Sequence, residues 1–294
     1  MQENPDILVS EEEAGLRLDL LLRARFPGWS RRRITRAIEE GRVRVDGRLA
    51  RKGQVVRAAM RVVLLGLPDT ADNLRPTPEA APLCVLYEDA ALVAVSKPAG
   101  VPTHPLRAGE LGTAANALVA RYPECAVASS DPRESGLCHR LDTGTSGVLL
   151  AARTPEAYRA VREAFHRGEV AKTYLALVAG EASERVIRAP VHDRSMPAET
   201  RIAPVERLGA FSLVRCSTHG GQRHQVRVHL AEAGHPVAGD ARYDGPALPG
   251  LDGFFLHAES LRLVHPVSGD VLEIRAPLPD DREALLAGLR SINR

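Results

Sequence analysis

Hydrophobic positions near the start of the chain recur at helical spacing. Leu18, Leu21 and Leu22 share a face, and Pro27-Gly28 predicts the end of that segment. Ser30 suits the N-cap of a second helix, in which Ile34 and Ile38 share a face and Gly41 can close the C-terminus. After Gly41 the period changes: "RVRVDGRLA" alternates and turns at Asp46-Gly47, the signal of a hairpin. Gly66 to Pro82 is proline-rich, lacks apolar periodicity and reads as a linker. Beyond it, apolar runs predict strands at Leu83 to Leu86 and Leu92 to Val95, with a turn at Glu88-Asp89 between them. Further strands are predicted at Val148 to Ala152, Tyr174 to Val178, Phe211 to Cys216 and Leu272 to Ile274, and a helix capped by Thr154 over Pro155 to His166. Strands and helices without a βαβ rhythm predict an α+β domain with a largely antiparallel mixed sheet. The chain thus divides into an acidic N-terminal tail (1–14), a small basic α/β domain (15–65), a Pro-rich linker (66–82) and a larger domain (83–294).

Charge changes this picture at one end. The formal net charge is only +2, yet Gly15 to Val62 holds 14 basic against 4 acidic residues, so the rest is net acidic. Arg31, Arg32, Arg33 and Arg36 crowd the first turns of the second predicted helix, where the positive end of the helix dipole disfavours them. That crowding suggests an anionic ligand. Only Lys52, Lys97 and Lys172 are lysines; an arginine excess suits phosphate contacts but equally fits a compositional bias of the whole chain. Cys84, Cys125, Cys138 and Cys216 have neither zinc-ligand spacing nor a disulfide pattern and are expected to be reduced, buried thiols. The opening "MQENPDILVSEEEAG" lacks the regions of a signal peptide, and no apolar run approaches a membrane span. A cytoplasmic protein without membrane contact is expected.

Chemistry is concentrated in "HRLDTGTSG", His139 to Gly147. A carboxylate there, between Arg140 and hydroxyls and beside glycines, can be a nucleophile, a base or a turn residue. Asp-Thr-Gly also opens the active-site loop of aspartic proteases, but that chemistry needs two aspartates, and the chain has no second Asp-Thr-Gly. A dimer would be required. No phosphate-binding Gly-x-x-x-x-Gly-Lys-Ser/Thr motif occurs, and the ten histidines form no metal triad by spacing. Neither a metal nor a nucleotide cofactor is expected.

The wider pattern is more specific. "LVAVSKPAGVPTHP", "GLCHRLDTGTSGVLLAAR", "KTYLALV", "GGQRHQVRVHLAEAGHPVAGDARY" and "LHAESLRLVHPVSGDVLEIRAPLP" resemble, in order, the blocks of the RluA-type RNA pseudouridine synthase family. The basic segment resembles the small RNA-binding domain named after ribosomal protein S-four, a common N-terminal partner in that family. The resemblance implies a pseudouridine synthase catalytic domain that isomerises uridines in structured RNA without a cofactor. It favours large-subunit ribosomal RNA, leaves transfer RNA open, and is compatible with a monomer. Asp142 matches the family's catalytic aspartate, Tyr174 its active-site tyrosine, and Arg227 the basic partner that holds the aspartate ionised. By themselves Tyr174 also fits a half-buried strand position and Arg227 a helix surface. Arg140 resembles the arginine that fills the place of a flipped nucleotide, and His139, Arg223, Arg31, Arg32, Arg33 and Arg36 are further candidates for RNA contact. One departure stands out: where the family has Gly-Arg-Thr-His-Gln, this chain has Gly221-Gln222-Arg223-His224-Gln225. A non-catalytic RNA-binding or ribosome-assembly protein with a degenerate synthase domain is the alternative, and retention of Asp142, Tyr174 and Arg227 weighs against it.

Overall fold

Apolar periodicity places the helices of the N-terminal segment, and their buried faces enclose a small core. The computed structural model describes residues 6–26, 29, 31–65, 74–107, 109–191, 197–219 and 221–293, in two compact units that divide between Arg75 and Pro76. The predicted stop at Pro27-Gly28, the Ser30 cap, linker residues 66–73 and the side chains of Arg32 and Arg33 lie outside the described residues.

In the first unit, α1 (Leu18–Arg25) and α2 (Arg31–Glu39) bury Leu18, Leu21, Leu22, Ile34 and Ile38. Gly41, at φ +69°, ends α2, with the Arg42 amide donating to the Ala37 carbonyl. Strands β2 (Val43–Val45) and β3 (Arg48–Leu49) pair around Asp46 and Gly47, both at positive φ as a type I′ hairpin turn requires. The expected acidic tail is only partly a tail. Asp6–Leu8 forms β1 and pairs with β4 (Arg61–Leu64), giving a sheet ordered β1-β4-β2-β3. The cause is a short alternation, Ile7 and Val9 inward, hidden in an otherwise acidic run. Glu13 in turn accepts two hydrogen bonds from Arg25, at 2.7 and 2.9 Å, so part of the acidity is used within the unit.

The second unit begins inside the predicted linker. Asn116 donates to the Thr77 carbonyl at 2.8 Å and the Gly112 amide to Glu79 at 2.6 Å, fastening residues 77–79 to the start of α3 (Ala114–Arg121). Among the described residues its sheet has nine strands: β5 (Cys84–Glu88), β6 (Leu92–Lys97), β7 (Ser146–Ala152), β8 (Ala171–Ala179), β9 (Arg185–Pro190), β10 (Pro197–Leu208), β11 (Phe211–His219), β12 (Leu256–Val264) and β13 (Val271–Arg275). The order is β5-β6-β7-β12-β8-β11-β10-β9, with β13 on β12, and only β7 and β12 run parallel. This is the α+β, largely antiparallel fold that the pattern predicts. α3 and α6 (Gln225–Glu232) lie over the core that includes Val95, Leu118, Leu149 and Val226; α5 (Pro155–Arg167) covers the opposite face with Tyr158 and Val161. α4 (Cys125–Ala128) is one short turn, and α7 (Asp280–Ile292) packs Leu286 against Phe255. Thr154 caps α5 by accepting from the Ala157 amide.

β9 and β10 were not legible from the chain because they lie at the sheet's outer side and alternate charges with prolines instead of forming an apolar run. One thiol departs from expectation: Cys84 is exposed, whereas Cys125, Cys138 and Cys216 are buried.

Candidate active site

The parallel pair at the sheet's centre sets the position of the Asp142 loop. Gly147 pairs with Ala258 on β12, and Ala258 pairs on its other side with Tyr174 on β8. Asp142, five residues before Gly147, and Tyr174 thereby sit on neighbouring parts of one surface. Gly147 has φ +112°, and a Cβ there would lie 2.2 Å from the Ala258 carbonyl oxygen, so this crossing admits only glycine. Behind it the Ser146 hydroxyl bonds His257 Nδ1 at 2.9 Å, while His257 Nε2 meets the Ala276 carbonyl at 3.2 Å. Burial keeps that ring below the usual histidine pKa, so the neutral form donates from Nε2 and accepts from the serine.

The backbone on either side of the aspartate is gripped. Thr103 donates its hydroxyl to the Leu141 carbonyl at 2.6 Å and accepts from the Leu141 amide at 3.1 Å. Lys97, 1 % exposed, donates its ammonium to the carbonyls of Pro98, Val101 and Thr143 at 2.8, 2.7 and 3.1 Å. The Gly100 amide donates to the same Thr143 carbonyl at 2.9 Å. Burial pushes the Lys97 pKa down to about 8, against the pull of the Asp142 charge. The lysine of the Lys-Pro-Ala-Gly block therefore acts as a clamp on the residue following Asp142.

The Asp142 side chain, 19 % exposed, receives Arg227 Nη1 on Oδ2 at 2.9 Å and has His224 Nε2 at 3.5 Å from Oδ1. Arg227 comes from α6, whose first residue Gln225 donates to the Glu199 carbonyl and to Thr200, pinning the helix to β10. Its guanidinium is not a surface group. It is 6 % exposed, lies 4.2 Å from the Phe254 ring centre and 5.0 Å from that of Tyr243, and makes a two-point pair with buried Asp240 at 2.6 and 2.7 Å. Burial works against its charge, but the hydrogen bonds to Asp240 and Asp142 prevail and raise its pKa further. His224 begins α6 in the left-handed region at φ +60°, with Nδ1 2.7 Å from the Tyr243 hydroxyl. Burial first, then the cations Arg227, Arg223 and Arg242, lower its pKa against the pull of Asp142.

Tyr174 is buried, and burial followed by the Asp142 charge raises its phenol well above the ordinary value, so near neutral pH it is a donor. Lys172, two residues earlier on the same strand face, lies 5.9 Å from the Phe165 and Tyr174 ring centres, its pKa lowered by burial to about 8.

The remaining predicted residues divide. Arg140 and Arg223 are exposed next to Leu141 and His224 respectively. His139 is half-buried: its Nε2 accepts the Leu150 amide at 3.0 Å, and its ring lies 5.2 Å from that of Phe165. Burial, then Lys172 and Arg162, push its pKa down to about 3, so the ring is neutral and committed to β7. In the first unit Arg31 is exposed, and Arg36 bonds Glu40 at 2.6 Å. Among the described residues no group of three histidine, cysteine or acidic side chains is arranged to hold a metal ion.

Sequence reading passed over Asp240, His224, Lys97 and Thr103. The available signal for Asp240 was an acidic residue between apolar Val237-Ala238 and an aromatic, inside a block that otherwise packs.

Residues 91–232 match the RNA pseudouridylate synthase family, and residues 16–62 match the S4 domain. A ribosomal large subunit pseudouridine synthase D of Nitrosomonas europaea is 37% identical over 316 residues, covering 99% of this chain and 90% of the relative. A protein of the same name from Xanthomonas campestris pv. campestris is 35% identical over 309 residues, covering 96% and 92%. The solved structure of human RNA Pseudouridylate Synthase Domain Containing 4 covers 75% of this chain and 95% of its own, with TM-score 0.58 and 24% identity, a likeness of fold. The order of sequence blocks, the fold and nearly full-length relatives agree, and the chain belongs to the RNA pseudouridine synthase family of isomerases, with an S4 domain at its N-terminal side.

Proposed function

We propose that this enzyme isomerises one or more uridines of large-subunit ribosomal RNA, with Asp142 as the catalytic carboxylate. The observation that carries the target is the 37% identity to a synthase named for the ribosomal large subunit across 99% of the chain. In the reaction the bond from N1 of uracil to the ribose breaks, the base turns, and C5 joins the same carbon. C5 loses a proton and N1 gains one, so no metal, cofactor or co-reactant is consumed. The chemistry needs a positioned carboxylate and a pocket that retains the free base. Asp142 meets the first need: its backbone is clamped by Thr103 and Lys97, and Arg227 keeps one oxygen paired. Three roles are open to the other oxygen: addition to the sugar, addition to the ring, or removal of a ribose proton on the way to a glycal.

Tyr174, held protonated, stacks on or donates to the target base, and Arg140 takes the place of the flipped nucleotide. Arg223 contacts substrate beside Gln222. The basic segment 15–65 of the first unit supplies salt-dependent affinity through Arg31, Arg32, Arg33 and Arg36. The enzyme acts as a monomer in the cytoplasm and needs no membrane; among the described residues no helix is long and apolar enough to cross one.

A carbodiimide-based pseudouridine map of cellular RNA, with and without the gene, tests this reading. Loss of one or more sites in large-subunit ribosomal RNA is expected. Loss only in transfer RNA overturns the target, and an unchanged map overturns the enzymatic assignment.

A further inference from the structure

The buried ionic cluster sets two carboxylates on one guanidinium. Asp142 and Arg227 would balance each other; Asp240, 1 % exposed, adds a second negative charge to the same guanidinium. The buried Lys97 ammonium also feels the Asp142 charge, and buried ion pairs are weak evidence for stability. The effect of Asp240 is geometric. Asp240 takes the Nε and Nη2 edge of Arg227 at 2.6 and 2.7 Å, and only Nη1 remains for Asp142, at 2.9 Å on Oδ2. The guanidinium carbon lies 4.2 and 5.0 Å from the ring centres of Phe254 and Tyr243, so the group is hemmed in by rings as well as held by its edge.

Without Asp240, a planar fork beside a carboxylate would turn to meet both oxygens, the favoured geometry of that pair. Asp142 Oδ1 would then be occupied. As it stands, among the described residues Oδ1 has the longer 3.5 Å approach of His224. We infer that Asp240 is a positioning residue that restricts Arg227 to a single bond with Asp142, leaving the second carboxylate oxygen open to the reacting nucleotide. This rests on the reading of Asp142 as the catalytic carboxylate.

The turn carrying Asp240 does not depend on its charge. Its amide donates to the Val237 carbonyl at 3.0 Å, and its own carbonyl accepts from the Tyr243 and Gly245 amides at 3.0 and 2.9 Å. Gly239, at φ +79° with the Gly253 oxygen 2.0 Å from where a Cβ would stand, fixes the approach. Asp240→Asn therefore removes the charge and one acceptor while the backbone bonds persist.

The test is single-turnover and steady-state pseudouridine formation by the full-length chain on a ribosomal RNA fragment. Asp240→Asn is expected to lower kcat by about 10- to 100-fold with KM unchanged within about twofold. In an Arg227→Lys background, where no planar fork remains to be aimed, the same substitution is expected to cost less than about threefold. Wild-type kcat for Asp240→Asn, a loss expressed wholly in KM, or an undiminished loss in the Arg227→Lys background would overturn the inference. A crystal structure of Asp142→Asn adds a readout that does not depend on the folding of the Asp240 variant: Arg227 is expected to remain paired with Asp240, and its departure overturns the inference. Activity in Asp142→Asn would instead overturn the catalytic reading beneath it, so the two failures are distinguishable.

Discussion

Arg31 and Arg36, on the helix of the first unit, stand in solvent, Arg36 with a 2.6 Å partner one turn away in Glu40, whereas Arg227 of the second unit lies between two rings and two carboxylates. Side chains of the first kind can adapt to phosphates along an RNA backbone, and their contribution weakens with salt. A guanidinium of the second kind is insulated from the bulk and has one geometry. The difference teaches that the arginine content of a chain says little until burial and partners are known. In the first unit arginine is suited to affinity, and in the second to orientation.

The comparison breaks most visibly at Arg227. Replacing it with glutamine removes the cation paired with Asp142 and with buried Asp240, and kcat is expected to fall by about 10²-fold or more. Thermal or denaturant unfolding should register a loss of about 3 kcal/mol for the same variant. A variant that turned over normally would show the buried arginine to be as replaceable as a surface one.

Gly147→Ala comes next. Its Cβ would stand 2.2 Å from the Ala258 oxygen at a backbone φ of +112°, and a loss of about 3 kcal/mol or more is expected in denaturant titration. Stability unchanged by this substitution would show that the parallel crossing does not set the Asp142 loop.

Tyr174, Asp142 and Arg227 could be picked out of the chain because their blocks resemble a family, although local pattern alone left a turn, a strand tyrosine and a surface arginine as competing readings. Asp240, His224 and Lys97 could not, though each lies in one of the family-like blocks. Their roles depend on approaches across 13, 82 and 46 residues of chain, which spacing along one element does not encode. α1, α2, α5 and strands such as β6, β7 and β8 were readable because burial on one or both faces leaves periodic or continuous apolar runs, whereas α3, α7 and the central strand β12 were not predicted. β1 and β9 were missed because a short or outer strand leaves a brief or charged pattern. For His139, proximity to Asp142 in sequence gave no sign that its ring turns toward the Leu150 amide.

That turned ring gives a pH test. With the His139 pKa at about 3 against an ordinary 6.5, the unfolded chain binds a proton in this window that the folded chain does not. The stabilising contribution is full above pH 6.5 and is lost as pH falls toward 3, by about 5 kcal/mol at most. His139→Gln, which can still accept from the Leu150 amide, should flatten that acid loss in urea titrations at several pH values. An unchanged slope would mean the ring is not held neutral.

The smallest effect is expected at the exposed arginines. Replacing Arg31 and Arg36 together with glutamine should raise KM about three- to tenfold, leave kcat unchanged, and reduce the salt slope of RNA binding by about 1 for each phosphate no longer neutralised. A fall in kcat without a change in salt slope would erase the contrast between the two units.

The most direct measurement follows Asp142→Asn with two readouts at one salt concentration, pseudouridine formed in a single turnover on a large-subunit ribosomal RNA fragment and equilibrium binding of the same RNA. Pseudouridine formation should be abolished while the dissociation constant stays within about threefold of the unsubstituted enzyme. Product formed at a comparable rate would contradict the assignment of the chemistry to Asp142.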